Sequence, residues 1–232
     1  MSRPCLVLIP GLLNDDELWR DQIEALSPDF DVRVADITRG STMPELAEAV
    51  VAIAPERFSL AGFSLGGYVA QEVLRQAAPR VERLALLDTA IRADTPERAA
   101  ERRALTSLAR SQGRFHGFGD RLMRTYLGPD HVNDAQMTGR VRAMTQRLGL
   151  DVFLRQSILE REDGEAVVRA YAGPMLVICG ELDVITPLVG HQEIAALARD
   201  AELIVAAGCG HLTPIEAPKL VSEALAHWMR RT

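Results

Sequence analysis

The stretch "RFSLAGFSLGGYVAQEVLRQAA", residues 57–78, decides how the chain folds. Its first half is an apolar run, and its second half places Val69, Val73, Leu74 and Ala77 on one stripe. A short apolar run bounded by glycine reads as a buried strand, and a stripe of that period reads as a helix. At the junction stands Gly62-Phe63-Ser64-Leu65-Gly66, followed by Gly67. A strand that bends straight into a helix at a small hydroxyl needs neighbours without side chains, so that the two backbones pass closely. Such a bend holds its central residue at strained angles and presents it at a helix N-terminus, where developing negative charge is stabilised. Ser64 is therefore a candidate nucleophile.

Working outward, the strand signature recurs in "CLVLIP", "DVRVADI", "VERLALLD", "PMLVICG" and "AELIVAA". Helical patterns separate most of these runs. "DDELWRDQIEALS" carries acids in its first turn, "MPELAEAVVAIA" has proline at a first-turn position, and "PKLVSEALAHWMRR" closes on basic residues. Alternating strand and helix implies a mostly parallel sheet with helices on both faces. The alternation breaks once: residues 90–170 hold only helical and loop patterns, too long for an ordinary connection. The expected organisation is an α/β body formed by residues 1–89 and 171–232, with residues 90–170 inserted as a helical cap.

Composition narrows the function classes. The chain has 232 residues, 47% of them hydrophobic and 25% charged, as in an ordinary globular domain. A net charge of -6 supplies no overall basic field for nucleic acid or an anionic membrane. No run is long and apolar enough for a membrane span. "CLVLIPGLL" is broken by Pro10-Gly11 and followed by acids, so it reads as the first strand and not as a signal peptide. Cys5, Cys179 and Cys209 sit in apolar runs at no metal-ligand spacing, which points to reduced core thiols in a cytoplasmic protein. No dinucleotide-binding glycine pattern or His/Cys cluster occurs, so neither a metal nor an organic cofactor is expected.

A serine hydroxyl needs a base. Of the five histidines, His211 lies in "AGCGHLTPIEAP", on a glycine-bracketed loop directly after the last strand. Sites of open α/β sheets gather at that end of the strands. His116 and His131 fall in the cap segment, His191 opens what reads as a surface helix, and His227 sits on the terminal helix. The acid that orients the base has candidates in Asp183 of "CGELDVITP", which is favoured, then Asp88 of "ALLDTA" and Glu181. Asp88 otherwise reads as a turn or capping residue.

The "LIPGLL" strand-loop, "GFSLGG" bend, "GELDVITP" and "GCGHLTPIEAP" together resemble the α/β-hydrolase superfamily over nearly the whole chain. That resemblance implies Ser64 as nucleophile, His211 as general base and then acid, and Asp183 as the orienting acid. It further implies an oxyanion hole from the backbone N–H groups of Leu12 and Leu65. Many relatives carry His-Gly where this chain has Pro10-Gly11; the donor is main chain, so the hole should survive. The chain starts at the strand that is usually third, so a shortened, six-stranded sheet is expected. Serine at the bend excludes the branches that use aspartate there, namely dehalogenases and epoxide hydrolases. The expected activity is hydrolysis of small carboxylic esters through an acyl-enzyme. The alternatives are a carbon–carbon bond or enol-lactone hydrolase and, from another class, a slow-turnover ligand-binding receptor on the same fold.

The cap should set specificity. Phe115, Phe118, Met123 and Tyr126 read either as pocket walls or as the cap's own core. Arg98, Arg102, Arg103, Arg110, Arg114, Arg121 and Arg124 make the segment basic. Such residues form a solvated face, unless one of them binds a substrate carboxylate. Asn14 is placed near the pocket mouth, and Arg155 and Gln156 are candidates to face the pocket.

Overall fold

The computed structural model describes residues 3–111 and 115–231. Six strands, β1 (Cys5–Ile9), β2 (Asp31–Val34), β3 (Phe58–Phe63), β4 (Val81–Leu87), β5 (Met175–Gly180) and β6 (Ala201–Ala206), form one sheet in the order β2-β1-β3-β4-β5-β6. Every pairing is parallel, from Cys5 opposite Asp31 at one edge to Gly180 opposite Ala206 at the other. All six match runs legible in the sequence; β1, β3 and β5 are buried along their whole length and so apolar at nearly every position, whereas the edge strands β2 and β6 are only partly buried.

The connecting helices are α1 (Arg20–Leu26), α2 (Met43–Ile53) and α3 (Leu65–Ala77). Between β4 and β5 come α4 (Pro96–Ser111), α5 (Asp120–Tyr126), α6 (Ala135–Ser157) and α7 (Glu165–Ala170). The remainder are α8 (Leu188–Leu197), α9 (Thr213–Glu216) and α10 (Pro218–Arg230). Among the described residues between β4 and β5 there is no strand. α6 breaks at Gly149, whose φ of 79° lies outside the helical region. The expected helix over residues 15–27 divides into a 3-10 turn at Asp16–Trp19, capped by the Asp15 side chain, and α1.

Side-chain alternation gives two cores. Val7, Ile9 and Leu60 pack with α2, α3 and α8 on one face of the sheet. Leu6, Leu8, Ala61 and Phe63 pack with α1 and α10 on the other. Trp19 is fully buried there, edge-on to Phe63 at 6.4 Å. The three cysteines are free and buried. No helix among the described residues is long and apolar enough to cross a membrane.

The neighbours of β1 lie on opposite sides of the order in which the chain visits them, so the C-terminal ends of β1 and β3 flank a switch point. Leu12 follows β1, Ser64 follows β3, Asp183 follows β5 and His211 follows β6. Chain order thus delivers all four to one rim of the sheet.

Candidate active site

The bend at Ser64 has the geometry its sequence requires. Ser64 adopts φ 51° and ψ -114°, a conformation that costs of order 1–3 kcal/mol. A Cβ on Gly62 would lie 2.3 Å from the Gly66 carbonyl oxygen, and one on Gly66 would lie 2.4 Å from those of Ile9 and Pro10. Only glycine lets β3, α3 and the β1 loop meet at that spacing. The strained turn is tied from below: Thr89 Oγ1 donates to the Ser64 carbonyl at 2.7 Å.

His211 reaches the serine. Its Nε2 stands 2.9 Å from Ser64 Oγ, and its Nδ1 stands 2.7 Å from Asp183 Oδ2. The imidazole is held between two aromatic rings, Phe63 and Tyr126, each with its centroid at 5.3 Å. The His211 N–H donates to the Tyr126 carbonyl at 2.7 Å, which joins the loop to the end of α5. Burial of the Tyr126 phenol, with the Asp183 charge nearby, pushes it up to about 12, so it stays protonated.

Asp183 is buried with its oxygens fully engaged. Oδ1 accepts from the N–H groups of Ile185 at 2.8 Å and Thr186 at 3.0 Å, and Oδ2 accepts from Thr186 Oγ1 at 2.7 Å. Burial alone would raise this carboxyl. The charge of His211 and the hydrogen bonds from His211 and Thr186 outweigh it and hold Asp183 below the ordinary carboxylate value.

The alternative acids stand elsewhere. Asp88, fully buried at φ 44°, accepts from Gly180 N–H at 2.9 Å through Oδ1 and from Thr213 Oγ1 through Oδ2. Burial, reinforced by the Asp183 charge, raises it well above the ordinary carboxylate value, and its hydrogen bonds tie the ends of β4 and β5 together. Glu181 is exposed and accepts from Gly208 N–H at 2.9 Å. Asp88, Cys179 and Asp183 each bring a ligand-type atom within 4.8 Å of the others. Both carboxylates are already engaged as described, and burial keeps the Cys179 thiol protonated, which is a poor donor set for a metal.

Leu12 and Leu65 line the same cavity as Ser64. As the first residue of α3, Leu65 has no intrahelical acceptor for its N–H, and among the described residues the Leu12 N–H has none either. Next to it, the Leu13 N–H donates to Gln156 Oε1 at 2.8 Å, while Gln156 Nε2 donates to the Ile37 carbonyl at 3.0 Å. Gln156 therefore does not face the pocket. It props the loop that carries Leu12, a role that sequence could not disclose because its partners lie more than 100 residues away. Arg155 donates to the Thr38 carbonyl and Asn14 is buried, so neither stands at the pocket as expected.

His191 is also corrected. It is fully buried, not on a surface helix: Nε2 accepts from the Thr89 N–H at 2.9 Å, and burial lowers it to about 4. His131 packs on Glu216, with Nδ1 2.7 Å from Oε2. The buried Glu216 carboxylate also accepts from the N–H groups of Gly128, Gly210 and Leu212. His227 is exposed on α10.

The cavity over Ser64 encloses about 380 Å³. Phe118 and Tyr126 line it, whereas Met123 packs into the core and Phe115 stacks on Phe153 at 5.6 Å. Of the basic run, Arg98 and Arg102 reach the cavity, and Arg103, Arg110, Arg121 and Arg124 are exposed. Arg114 lies outside the described residues.

A six-stranded parallel sheet with a serine on a glycine-flanked bend and a histidine within reach defines an α/β hydrolase. The chain belongs to the alpha/beta hydrolase family, whose model matches residues 6–224. Among curated relatives, the pimeloyl-[acyl-carrier protein] methyl ester esterase of Xanthomonas oryzae pv. oryzae is 28% identical over 255 residues, covering 97% of this chain and 95% of its own. Among solved structures, a thermophilic esterase from Thermogutta terrifontis (malate bound) superposes with a TM-score of 0.88 at 25% identity, covering 99% of this chain and 90% of that one. The enol-lactonase from Burkholderia xenovorans LB400 shares the fold, with a TM-score of 0.83 at 21% identity over 100% of this chain and 93% of its own.

Proposed function

We propose that the protein hydrolyses small carboxylic esters through an acyl-enzyme on Ser64. The observation that carries this reading is the unbroken relay from Ser64 Oγ to His211 Nε2 at 2.9 Å and from His211 Nδ1 to Asp183 Oδ2 at 2.7 Å. Ser64 Oγ attacks the ester carbonyl and passes its proton to His211 Nε2, and Asp183 stabilises the imidazolium. The carbonyl oxygen gains negative charge and accepts from the Leu12 and Leu65 N–H groups, at roughly 3 kcal/mol per donor in the transition state. The tetrahedral intermediate collapses, the C–O bond breaks, and the alcohol leaves with the proton from His211. Water then attacks the acyl-Ser64 carbonyl as His211 takes its proton; the acid leaves and Ser64 is restored.

In this reading residues 90–170 act as a cap over a body formed by residues 1–89 and 171–232. Support comes from the cavity, whose wall includes Phe118 and Tyr126 from one segment and Leu12, Leu65 and Thr186 from the other. A lactone, as a cyclic ester, would pass through the same steps. Three buried free thiols accord with a reducing, cytoplasmic setting.

The test is a panel of chromogenic short-chain esters, with acyl-Ser64 trapped by rapid acid quench and read by mass spectrometry. Turnover by the unaltered protein that disappears in Ser64→Ala, with the acyl mass on the peptide containing Ser64, is the expected result. Turnover that survives in Ser64→Ala would overturn the assignment. Tight binding of a small molecule with no turnover of any ester would favour a receptor.

A further inference from the structure

The cavity wall contains three arginines from the α4–α7 segment, Arg98, Arg102 and Arg161, that differ in how they are satisfied. Arg98 is exposed and donates to the Ile185 carbonyl at 2.7 Å. Arg102, on α4, is committed: its guanidinium pairs with Asp94 and donates to the carbonyls of Ser157 at 2.9 Å and Leu159 at 3.2 Å. Arg161, between α6 and α7, is not. Its side chain is only 10% exposed, and its nearest carboxylate oxygen, on Asp94, is 3.7 Å away and already paired to Arg102. Among the described residues it makes one hydrogen bond, from Nη1 to the Leu159 carbonyl at 3.2 Å. Its Cζ lies over the Tyr68 ring at 5.6 Å, another group of the cavity wall. The guanidinium offers five N–H donors in a planar fork, so most of its donors have no protein acceptor.

Burying an arginine cation without a matched anion is costly, and a chain that does so normally supplies the anion. Here the wall holds two acids: Asp94, whose carboxylate is shared between Arg102 and Arg161, and Glu101, which is exposed on α4. Two buried guanidiniums thus face one carboxylate, and burial lowers Arg161 to about 10, which leaves it charged at neutral pH. Arg161 and Ser64 line the same cavity. We propose that Arg161 binds a free carboxylate on the ester substrate, so that the substrate class is acid-bearing esters, such as monoesters of short dicarboxylic acids. This inference rests on the esterase reading of Ser64 and adds the chemistry that selects the substrate. A cavity of about 380 Å³ is at the small end of ligand sites, which suits a compact dicarboxylate skeleton.

Two measurements test it, the second of them independent of the nucleophile. The first compares kcat/KM for a monomethyl dicarboxylate with that for the dimethyl ester of the same acid, in the unaltered protein, Arg161→Gln and Arg161→Lys. The unaltered protein should prefer the monoester, and Arg161→Gln should lower that preference by about 10- to 100-fold, the worth of a buried charge-assisted pair. Arg161→Lys, which keeps the charge but loses the fork, should fall between the two. An unchanged preference in folded Arg161→Gln, or a preference for the diester in the unaltered protein, would overturn the proposal. The second measurement uses no chemistry: glutarate should raise the Tm of Ser64→Ala, and it should fail to do so in the Ser64→Ala, Arg161→Gln double variant. Equal shifts in both, or none in Ser64→Ala, would refute it. If no ester is turned over and glutarate still binds through Arg161, the esterase reading fails while the carboxylate site stands.

Discussion

Gln156→Leu tests whether the loop carrying Leu12 is held in place for catalysis. The substitution keeps the side-chain volume, so no large cavity opens, and it removes both hydrogen bonds of a side chain that is 2% exposed. The Leu13 N–H, bonded at 2.8 Å, and the Ile37 carbonyl, bonded at 3.0 Å, are both left without partners. An unsatisfied buried group costs about 1–3 kcal/mol, so the ceiling on destabilisation is about 2–6 kcal/mol, reduced by whatever water reaches the site. The kinetic effect follows from the neighbouring residue. When the Leu13 N–H turns to seek another acceptor, the adjacent Leu12 N–H loses its aim at the developing oxyanion. Full loss of one such donor is worth about 10²- to 10³-fold in kcat, and partial misalignment should cost about 10- to 100-fold. The assay is steady-state kinetics on a short-chain ester alongside thermal unfolding. A fall in kcat with KM nearly unchanged is expected, because the donor acts on the transition state and not on the ground-state ester. A kcat within threefold of the unaltered protein, despite a lowered Tm, would refute the reasoning and leave Gln156 a purely structural strut.

Asp183→Asn should lower kcat by roughly 10³- to 10⁴-fold, since the amide favours the wrong His211 tautomer, while Asp88→Asn should cost less than tenfold; stopped-flow ester hydrolysis separates them. The folded Asp88 value is raised, so its stabilising contribution is complete below the ordinary carboxylate value and fades as pH rises above it; in urea titrations Asp88→Asn should therefore gain stability relative to the unaltered protein as pH rises from about 4. His191 titrates near 4 when folded and near 6.5 when unfolded, so its contribution is intact above about pH 6.5 and loses about 3 kcal/mol on acidification to pH 4; His191→Gln, which does not titrate, should lack that part of the slope. Gly66→Ala forces a Cβ against the Ile9 and Pro10 carbonyls at 2.4 Å and should cost about 1–3 kcal/mol of stability together with activity, as chemical denaturation and kinetics would show.

What the sequence disclosed depended on how local each signal is. β1, β3 and β5 were legible because burial on both faces demands unbroken apolar runs. Ser64, Asp183 and His211 were legible because each stands just past a strand and only the chain order is needed to bring them together. Gln156 and His191 were not: their partners are set by tertiary contact, and a glutamine near the end of a helix or a histidine near the start of one carries no mark of burial. Arg161 sits in "LEREDGE", where flanking acids suggest a solvated ion pair, yet its neighbours Glu160 and Glu162 point to solvent and Arg161 turns inward. The basic run upstream drew attention to the segment while the buried cation lay beyond it. The apolar cap residues divided in the same way, Phe118 and Tyr126 toward the cavity and Met123 into the core, since helical spacing alone does not distinguish a wall from a filling.

The Glu216 carboxylate gathers the N–H groups of Gly128, Gly210 and Leu212 together with His131, so one side chain pins the segment after α5 to the loop that carries His211. On α4 the Arg102 side chain ties the helix to Asp94 and to the Ser157 and Leu159 carbonyls, while Leu105 and Leu108 are 50% and 56% exposed. The exposed positions of α4 are thus separate from the contacts that aim His211. Exposed positions on α4 can be varied at about 0.5 kcal/mol or less each, without disturbing the histidine's aim. A library confined to α4 should therefore yield variants of altered substrate range that still fold, whereas one directed at residues 126–131 should yield mostly inactive chains.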